Sequence, residues 1–593
     1  MMLAATMLVA ASCSEFDDYN KEVADASVSG NQTLWDNIQQ NDQLSDFAAL
    51  IKKSGFDKEL SATQYYTVWA PLNGTFDPTP FQSMNDAALM RQFVKNHIAS
   101  YAHNASGKLD ATNRVLMLNE KTYGFTGSGS YQFDGVDVAQ ANLPNSNGVL
   151  HTLNGVAVYY PNLYEYVTDS VLCASKGLDS LSRYFSRYEQ TTLDLEHSVV
   201  GSIVNGMQTY IDSVMITENT LWDGLNFKMM NEDSTYTFLM PTNEAWNSTY
   251  SALKGSFRYI PNTISKTFND NTSATSTTIQ PALQIDNVYW QDSIANRYMT
   301  RYLAYSNNNA YNKWLVGAPT AIGSDTLATT LRDKMSNPAE LLAHTVETVK
   351  MSNGYGRIID SLAIRPWETY SPEFDFSATS DRNIGQYLNG YTETVEVRLP
   401  DTGMVDLSEQ TSAIYRYLHV VPSSTRSKPE LVFYLRNVLS TTYDIYCIFV
   451  PEAVDTEKED PDTLPNRVIF TLNYCDSTGA LKDEVFLDTD EARIQAFKDK
   501  YKLSDGAVGS TNYNTNRAFS NDVSKVDTLY VGEFTFPICY LGLGDNYCPS
   551  LRVSSPFSTN TGTVRNNYAR DLRIAGVILK PKELVEYEEQ NKQ

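Results

Sequence analysis

The chain has 593 residues, too many for one hydrophobic core and enough for about three or four domains of ~150 residues. Its 70 Asp and Glu outnumber 46 Lys and Arg, giving a formal charge of −24; nucleic acid is excluded as the main partner, because phosphate binding needs a basic surface. A mean hydropathy of −0.35 argues against a protein built of membrane spans. Aromatic residues make up 12% of the chain and 38 of them are Tyr, which fits either a tyrosine-rich β core or an exposed aromatic platform for sugars or proteins.

Met1 to Ala11 is almost wholly apolar and ends in Ala10-Ala11-Ser12-Cys13. The run is too short to cross a bilayer as a helix, which needs about 20 residues, and reads instead as a signal-peptide core followed by small residues. Small residues followed by Cys resemble the lipobox of bacterial lipoproteins, which implies lipid attachment at Cys13. The pattern departs in having Ala10 where Leu is usual and no basic residue before the apolar run, so the natural start is expected upstream. Ser14-Glu15-Phe16-Asp17-Asp18 then resembles the export tag of Bacteroidota-type lipoproteins, which implies the outer face of the outer membrane. Residues 1–30 are thus read as signal peptide and acidic tether.

From residue 31 to 167 the pattern is that of one module. Thr33–Ile38 and Leu44, Phe47, Leu50 and Ile51 place apolar residues at helical spacing, with Gly55 as terminator. Tyr66-Thr67-Val68-Trp69-Ala70 reads as a buried strand stopped by Pro71, with Asn73 at a turn and Phe76 beyond. Met90, Phe93, Val94, His97, Ile98 and Tyr101 recur at three and four, predicting a helix over 87–102. Strands are predicted at Val115–Leu118 and across Gly124–Phe133, and Asn147-Gly148 is a tight-turn signal feeding a strand through His151 to Leu153 and Asn154.

The strand-and-turn stretch recurs. Tyr236 to Trp246 repeats Tyr66 to Phe76 without a gap, with Thr237 for Thr67, Pro241 for Pro71, Asn243 for Asn73 and Trp246 for Phe76, and a repeat of this kind marks related modules. Both copies resemble the first signature of the fasciclin domain, Thr-hydrophobic-hydrophobic-Ala-Pro-Thr-Asn-x-Ala-Phe, the second more closely. Asn147–Val156 resembles the second signature, with His151 in place and Asn154 where Asp is usual. Asn353–Leu362 is a weaker version in which Arg357 replaces the His and Asp360 keeps the acid. The resemblance implies two tandem fasciclin-like modules, 31–167 and 168–371. It also implies that Thr67, Pro71, Asn73, Phe76, His151, Asn154, Thr237, Pro241, Asn243, Trp246 and Asp360 are scaffold. The second module holds an insertion rich in Asn, Ser, Thr and Tyr, helical over Ile294–Leu303 and loop-like over Pro261–Thr278 and Ser306–Asn309, and this insertion is the first candidate for a partner surface.

Residues 372–593 alternate with period two over Thr392–Leu399. Further strands are predicted at Tyr415–Val421, Leu431–Leu435, Thr442–Val450, Arg467–Tyr474, Thr528–Phe536 and Leu572–Leu579, with Asp490–Lys500 helical. Short strands with polar turns predict a mainly antiparallel β-sandwich. The fold expected for the whole chain is therefore multidomain α+β, two fasciclin-like α/β modules followed by that sandwich. Cys447, Cys475, Cys539 and Cys548 allow three pairings. Cys539 and Cys548 flank Gly542, Gly544 and Asn546, so a disulfide between them would close a hairpin-like loop; buried free thiols are the alternative.

Catalytic motifs are not evident. The six histidines have no metal-binding spacing, and neither a nucleophile elbow nor a phosphate-cradling glycine loop occurs. Asp455–Asp462 reads as a solvated acidic loop, with weak Ca2+ binding as a minor option; no cofactor is otherwise expected. The expected role is that of a non-enzymatic surface lipoprotein for extracellular binding or adhesion, an accessory subunit of a SusC/SusD-like outer-membrane uptake complex by contextual analogy. Direct capture of a polysaccharide or oligosaccharide by the sandwich is the alternative, and a glycoside hydrolase, which needs two facing carboxylates, the third.

Overall fold

Thr67-Val68-Trp69-Ala70 forms the middle of strand Tyr66–Pro71, buried at every residue. Beside it runs Gly148–Leu153, equally buried. The two pair in parallel, Tyr66 opposite Gly148 through Pro71 opposite Leu153, so the two signatures lie side by side. Strands covered on both faces need near-continuous apolar sequence rather than alternation, and these have it. The computed structural model describes residues 30–593 except 197, 205–206, 213–214, 261–286, 399–413, 456, 544–546, 558–563, 565 and 593. Cys13, the acidic tether and Pro261–Thr278 of the insertion lie outside the described residues.

The described chain divides into two compact units. The first runs to Phe238 and includes Ser306–Pro319 and Glu347–Arg357; the second holds Leu239–Tyr305, Thr320–Val346 and the chain from Ile358 onward. In the first unit an eight-stranded sheet follows the order Ile98–Ser100, Tyr66–Pro71, Gly148–Leu153, Val136–Asn145, Ser130–Phe133, Thr122–Ser128, Lys108–Leu109, with Arg114–Leu116 also paired to Thr122–Ser128. Helices Leu34–Gln40 and Ser45–Ser54 cover one side, burying Leu34, Ile38, Phe47, Leu50 and Ile51 against Val68, Ala70, Phe93 and Leu150. Thr33 caps the first of these helices in a reciprocal capping box with Asp36. On another side Trp69 stacks on Phe133 at 4.4 Å and on His151 at 5.4 Å.

The helix predicted over 87–102 is only half present. Asp86–Leu89 continues as one π-helical turn, Met90–Val94, and Ile98–Ser100 is a strand instead. Tertiary pairing overrides periodicity here: Ile98 and Ala99 are fully buried, and their backbone groups extend the sheet by pairing with Val68 and Thr67.

The second copy repeats the first at the level of single atoms. Asn147 Oδ1 accepts from Leu34 N at 2.8 Å, while its Nδ2 donates to Leu60 O at 2.8 Å and Ala62 O at 2.6 Å. Asn353 Oδ1 accepts from Leu163 N at 3.0 Å, and its Nδ2 donates to Met229 O at 2.7 Å and Asn231 O at 3.2 Å. The helix beginning at Leu163 is capped by Asn162 in a box with Glu165, as Thr33 is with Asp36. Tyr66 N and Tyr236 N donate to the carbonyls of Asn147 and Asn353 at 3.1 and 3.0 Å. The glycine after each Asn is fixed by the same crowding: a Cβ on Gly148 would lie 2.1 Å from Tyr66 O, and one on Gly354 2.0 Å from Tyr236 O. The strands Ala304–Ser306, Tyr236–Pro241, Gly354–Ile359 and Thr345–Met351 form a sheet in that order. Helix Asn243–Ser256 follows its strand directly, capped by Thr242; the first copy has only a turn at the matching place, with Phe76 packed on Phe81 and Phe93.

In the second unit the strands from residue 372 onward build two six-stranded sheets. One has the order Gly390–Arg398, Ile414–Pro422, Leu572–Pro581, Thr442–Phe449, Asp527–Thr535, with Phe374–Ser377 also on Leu572–Pro581. The other runs Ile384–Leu388, Glu430–Tyr434, Ser550–Ser554, Arg467–Cys475, Leu481–Phe486, with Phe519–Ser520 on Arg467–Cys475. The near-continuous apolar run of Leu572–Leu579 makes it a central strand, buried on both faces. Phe534 of the first sheet meets Tyr474 and Phe486 of the second at 4.7 and 6.4 Å, an aromatic layer that uses part of the tyrosine excess. Besides the predicted helix, found at Glu491–Tyr501 under an Asp490 cap, the region carries Thr511–Asn516 and a C-terminal helix, Lys582–Asn591.

Candidate functional site

Most of the signature side chains make hydrogen bonds or packing contacts within the protein. Thr67 Oγ1 donates to Tyr101 O at 2.7 Å and accepts from His103 N at 2.9 Å. Asn73 ties the strand exit to helix Ser45–Ser54: its Oδ1 accepts from Asp46 N at 3.0 Å and its Nδ2 donates to Asp42 O and Ser45 Oγ, both at 2.8 Å. Pro71 and Pro241 close their strands. His151 is fully buried; its Nε2 donates to His103 O at 2.9 Å and its Nδ1 accepts from Asn142 N at 3.3 Å. Burial lowers its pKa to about 4, so the ring is neutral at physiological pH and both nitrogens are committed. Asn154 is exposed, bonded through its N–H to Asp137 O. Thr237 Oγ1 donates to Asn307 Oδ1 at 3.0 Å, Asn243 opens helix Asn243–Ser256, and Trp246 on that helix is buried. Asp360 pairs with His344 at 3.0 Å. Arg357, in the place of the signature His, is buried and donates to Pro319 O at 2.7 Å.

Among the described residues Cys539 and Cys548 are not joined by the disulfide that their spacing allows, and Cys173, Cys447, Cys475, Cys539 and Cys548 are all buried. Cys539 sits where its N–H bonds to Arg258 O, and burial pushes its thiol up to about 12. Cys548 packs instead with Val432 and Tyr434. Thiols so disposed behave as small apolar residues. Iodoacetamide should therefore modify both cysteines as fully in denatured, unreduced protein as after reduction, read by peptide mass; protection of both until reduction would contradict this.

Two buried cations are each surrounded by carboxylates. In the first unit Lys121, 1% exposed, donates to both Glu165 oxygens at 3.1 and 3.0 Å, to Glu232 at 2.7 Å and to Ser352 at 3.1 Å. In the second unit Arg573, 7% exposed, reaches Asp571 at 2.7 Å, Glu452 at 3.1 Å and Asp462 at 3.5 Å. His419, opposite Arg573 in the ladder, bridges Asp571 at 2.6 Å and Glu393 at 2.8 Å. Glu452 is also bound by Lys458 at 2.6 Å. Glu452 and Asp462, at or near the acidic loop, are thus engaged with cations of the protein itself. Burial opposes charge on His419, but its bonds to Asp571 and Glu393 prevail and its pKa is raised. Burial likewise opposes ionisation of Asp571, and His419 and Arg573 prevail to lower it. Such a network orders side chains.

The same unit holds a cleft of about 350 Å³ between its first sheet and the C-terminal helix. Glu373, Tyr446, Thr528, Lys580, Glu588 and Lys592 line it. Lys580 stands between two carboxylates, 3.0 Å from Glu588 and 3.5 Å from Glu373. Burial raises the pKa of Glu373 despite Lys580. The Tyr446 ring lies 5.4 Å from that of Tyr530, which is exposed. A half-buried aromatic face beside alternating donors and acceptors suits a small polyhydroxylated ligand. Sequence motifs single out none of these residues, because they come from four separate stretches of chain, the last of them Lys580 to Lys592, and no local motif links them. Among the described residues no group of three or more His, Cys, Asp or Glu is placed to hold a metal ion, and no helix is long and apolar enough to cross a membrane.

Residues 42–158 match the Fasciclin domain family, so the first module contains a fasciclin domain. The transforming growth factor-beta-induced protein ig-h3 of Sus scrofa is 25% identical over 168 residues, 28% of this chain and 24% of that protein; the match thus spans about a quarter of that relative. Among solved structures, a FAS1 domain pair from the insect cell adhesion molecule fasciclin I is 16% identical, covering 55% of this chain and 98% of that one, with a TM-score of 0.19. The CBM22-1–GH10 modules of Clostridium thermocellum xylanase 10B are 12% identical, covering 35% and 29%, also with a TM-score of 0.19.

Proposed function

We propose that the chain is a non-enzymatic binding or adhesion protein of the cell surface, anchored through lipid on Cys13, and an accessory subunit of a SusC/SusD-like outer-membrane uptake complex. The fasciclin domain at residues 42–158 carries this reading; most of its signature side chains are engaged within the domain, which favours binding at the surfaces around them. The Asn353 network, matching that of Asn147 bond for bond, supports a second fasciclin-type module over 168–371. The two antiparallel sheets beyond it, joined by Phe534, Tyr474 and Phe486, support a sandwich over 372–593. Detergent extraction of the native protein should recover an outer-membrane transporter with it, and Cys13→Ala should release it from the membrane fraction. Recovery as a lone monomer, or membrane retention of Cys13→Ala, would count against the proposal.

The tyrosine-lined cleft favours a second reading, direct oligosaccharide capture. Titration calorimetry against gluco-, manno- and xylo-oligosaccharides should then give heat that Tyr446→Ala diminishes, with affinity falling about ten-fold as for loss of an aromatic anchor. No heat with any sugar removes this reading.

A further inference from the structure

Between helices Asp179–Ser186 and Thr220–Gly224 the chain leaves as two antiparallel strand pairs. Glu189–Leu193 pairs with Met215–Asn219, and Val199–Val204 pairs with Met207–Asp212. Its base is fastened: Asn219 Nδ2 donates to Phe185 O at 2.8 Å, and Thr220 N to Tyr188 O at 3.3 Å. The rest is unlike the surface of a solvated hairpin. Leu195, Val199, Val200, Ile203, Met215 and Ile216 are all exposed, from 40% at Ile216 to 70% at Ile203. Each two-stranded sheet pairs, among the described residues, only within itself, so strand edges as well as apolar side chains face outward. An isolated hairpin is marginal in water, and an exposed apolar edge invites another strand. Glu189, Asp194, Glu196, Asp212 and Glu218 lie along the same stretch, and from Tyr188 to Phe227 there is no Lys or Arg.

We propose that this arm is a docking element for a partner protein that presents an extended apolar segment flanked by Lys or Arg. Charge selects this occupant. A second copy would set one acidic arm against another, and like charges across a strand pair repel. An anionic lipid surface would be repelled for the same reason. A basic, apolar strand satisfies both the edge and the charge, and electrostatic complementarity adds to the rate and specificity of encounter. The inference rests on the arm's exposure and charge alone and is independent of the transporter reading.

The test uses the full chain and a labelled peptide of about ten residues alternating Val and Lys, with a Val–Glu peptide as control. Fluorescence anisotropy should show binding of the Lys peptide, weakened by salt, and little binding of the Glu peptide. The double variant Val200→Ser/Ile203→Ser leaves net charge unchanged and should lose about ten-fold or more in affinity. Its circular dichroism and urea unfolding of the remaining chain report whether the fold is intact. Equal binding by wild type and variant would show general attraction to an acidic protein and overturn the proposal. So would arm-dependent dimerisation in sedimentation velocity, or arm-dependent flotation with phosphatidylethanolamine–phosphatidylglycerol vesicles, since each assigns the arm another occupant.

Discussion

Asn147→Ala is expected to destabilise the first unit by about 3–5 kcal/mol, from three buried backbone groups losing their partner at once. Leu34 N loses its acceptor, and the carbonyls of Leu60 and Ala62 lose their donor. Asn147 is only 2% exposed, so water replaces these bonds poorly, and each unsatisfied group costs about 1–3 kcal/mol. The three groups belong to the starts of one helix and the exit of another, which the side chain holds to the strand beginning at Gly148. Asn353→Ala removes the same three bonds from Leu163, Met229 and Asn231 and should cost a similar amount. Asn147→Asp keeps the acceptor, abolishes both donors and introduces a buried charge, so it should be no better than Ala. The shift in the first urea transition and faster hydrogen exchange at Leu34 measure the effect. A loss below about 1 kcal/mol in both Ala variants would mean that the carbonyls find other partners.

That network also marks where the sequence is informative. Pro71, Pro241, Asn147-Gly148 and Asn353-Gly354 act within a few residues of themselves, by stopping a ladder or turning the chain. They are legible because their physics is local. The stretch 87–102 fails for the opposite reason: its spacing of apolar residues satisfies a helix, yet Ile98–Ser100 meets Tyr66–Val68 from far along the chain. Leu481–Phe486 escapes as a strand because its middle is polar and exposed at a sheet edge, where no alternation is imposed. Lys121 and Arg573 are indistinguishable in sequence from surface cations, and only the fold brings carboxylates around them. Glu373, Tyr446 and Lys580 meet for the same reason. The spacing of Cys539 and Cys548 permits a bridge, but the fold packs Cys539 beside Arg258 and Cys548 against Val432 and Tyr434, placements that spacing does not encode.

Arg573→Met should destabilise the second unit by about 2–3 kcal/mol, because it removes the buried cation from between Asp571 and Glu452 and leaves them only His419 and the more exposed Lys458 as partners. Asp462 adds little, being one-third exposed. The same cluster predicts how stability depends on pH. Burial works against ionised Asp571 and Glu452, yet their partners hold both pKa values below the ordinary range. Their contribution is therefore present above the unfolded carboxylate pKa and is lost as pH falls through the folded values. His419 has a raised pKa, so its contribution is complete below its ordinary value of 6.5 and is lost as pH rises through the folded value. Wild-type stability from this cluster should thus peak at about pH 5 to 6.5. Arg573 lowers the pKa of His419 as well as those of Asp571 and Glu452. In Arg573→Met all three rise, moving both the acid and the alkaline limb to higher pH. His419→Asn should abolish this alkaline limb while retaining most of the acid one. Urea unfolding of the second unit across pH 3–9 reads both limbs; an alkaline decline unchanged in His419→Asn would assign it to another group, and acid and alkaline limbs that stay in place in Arg573→Met would show that its guanidinium does not govern them.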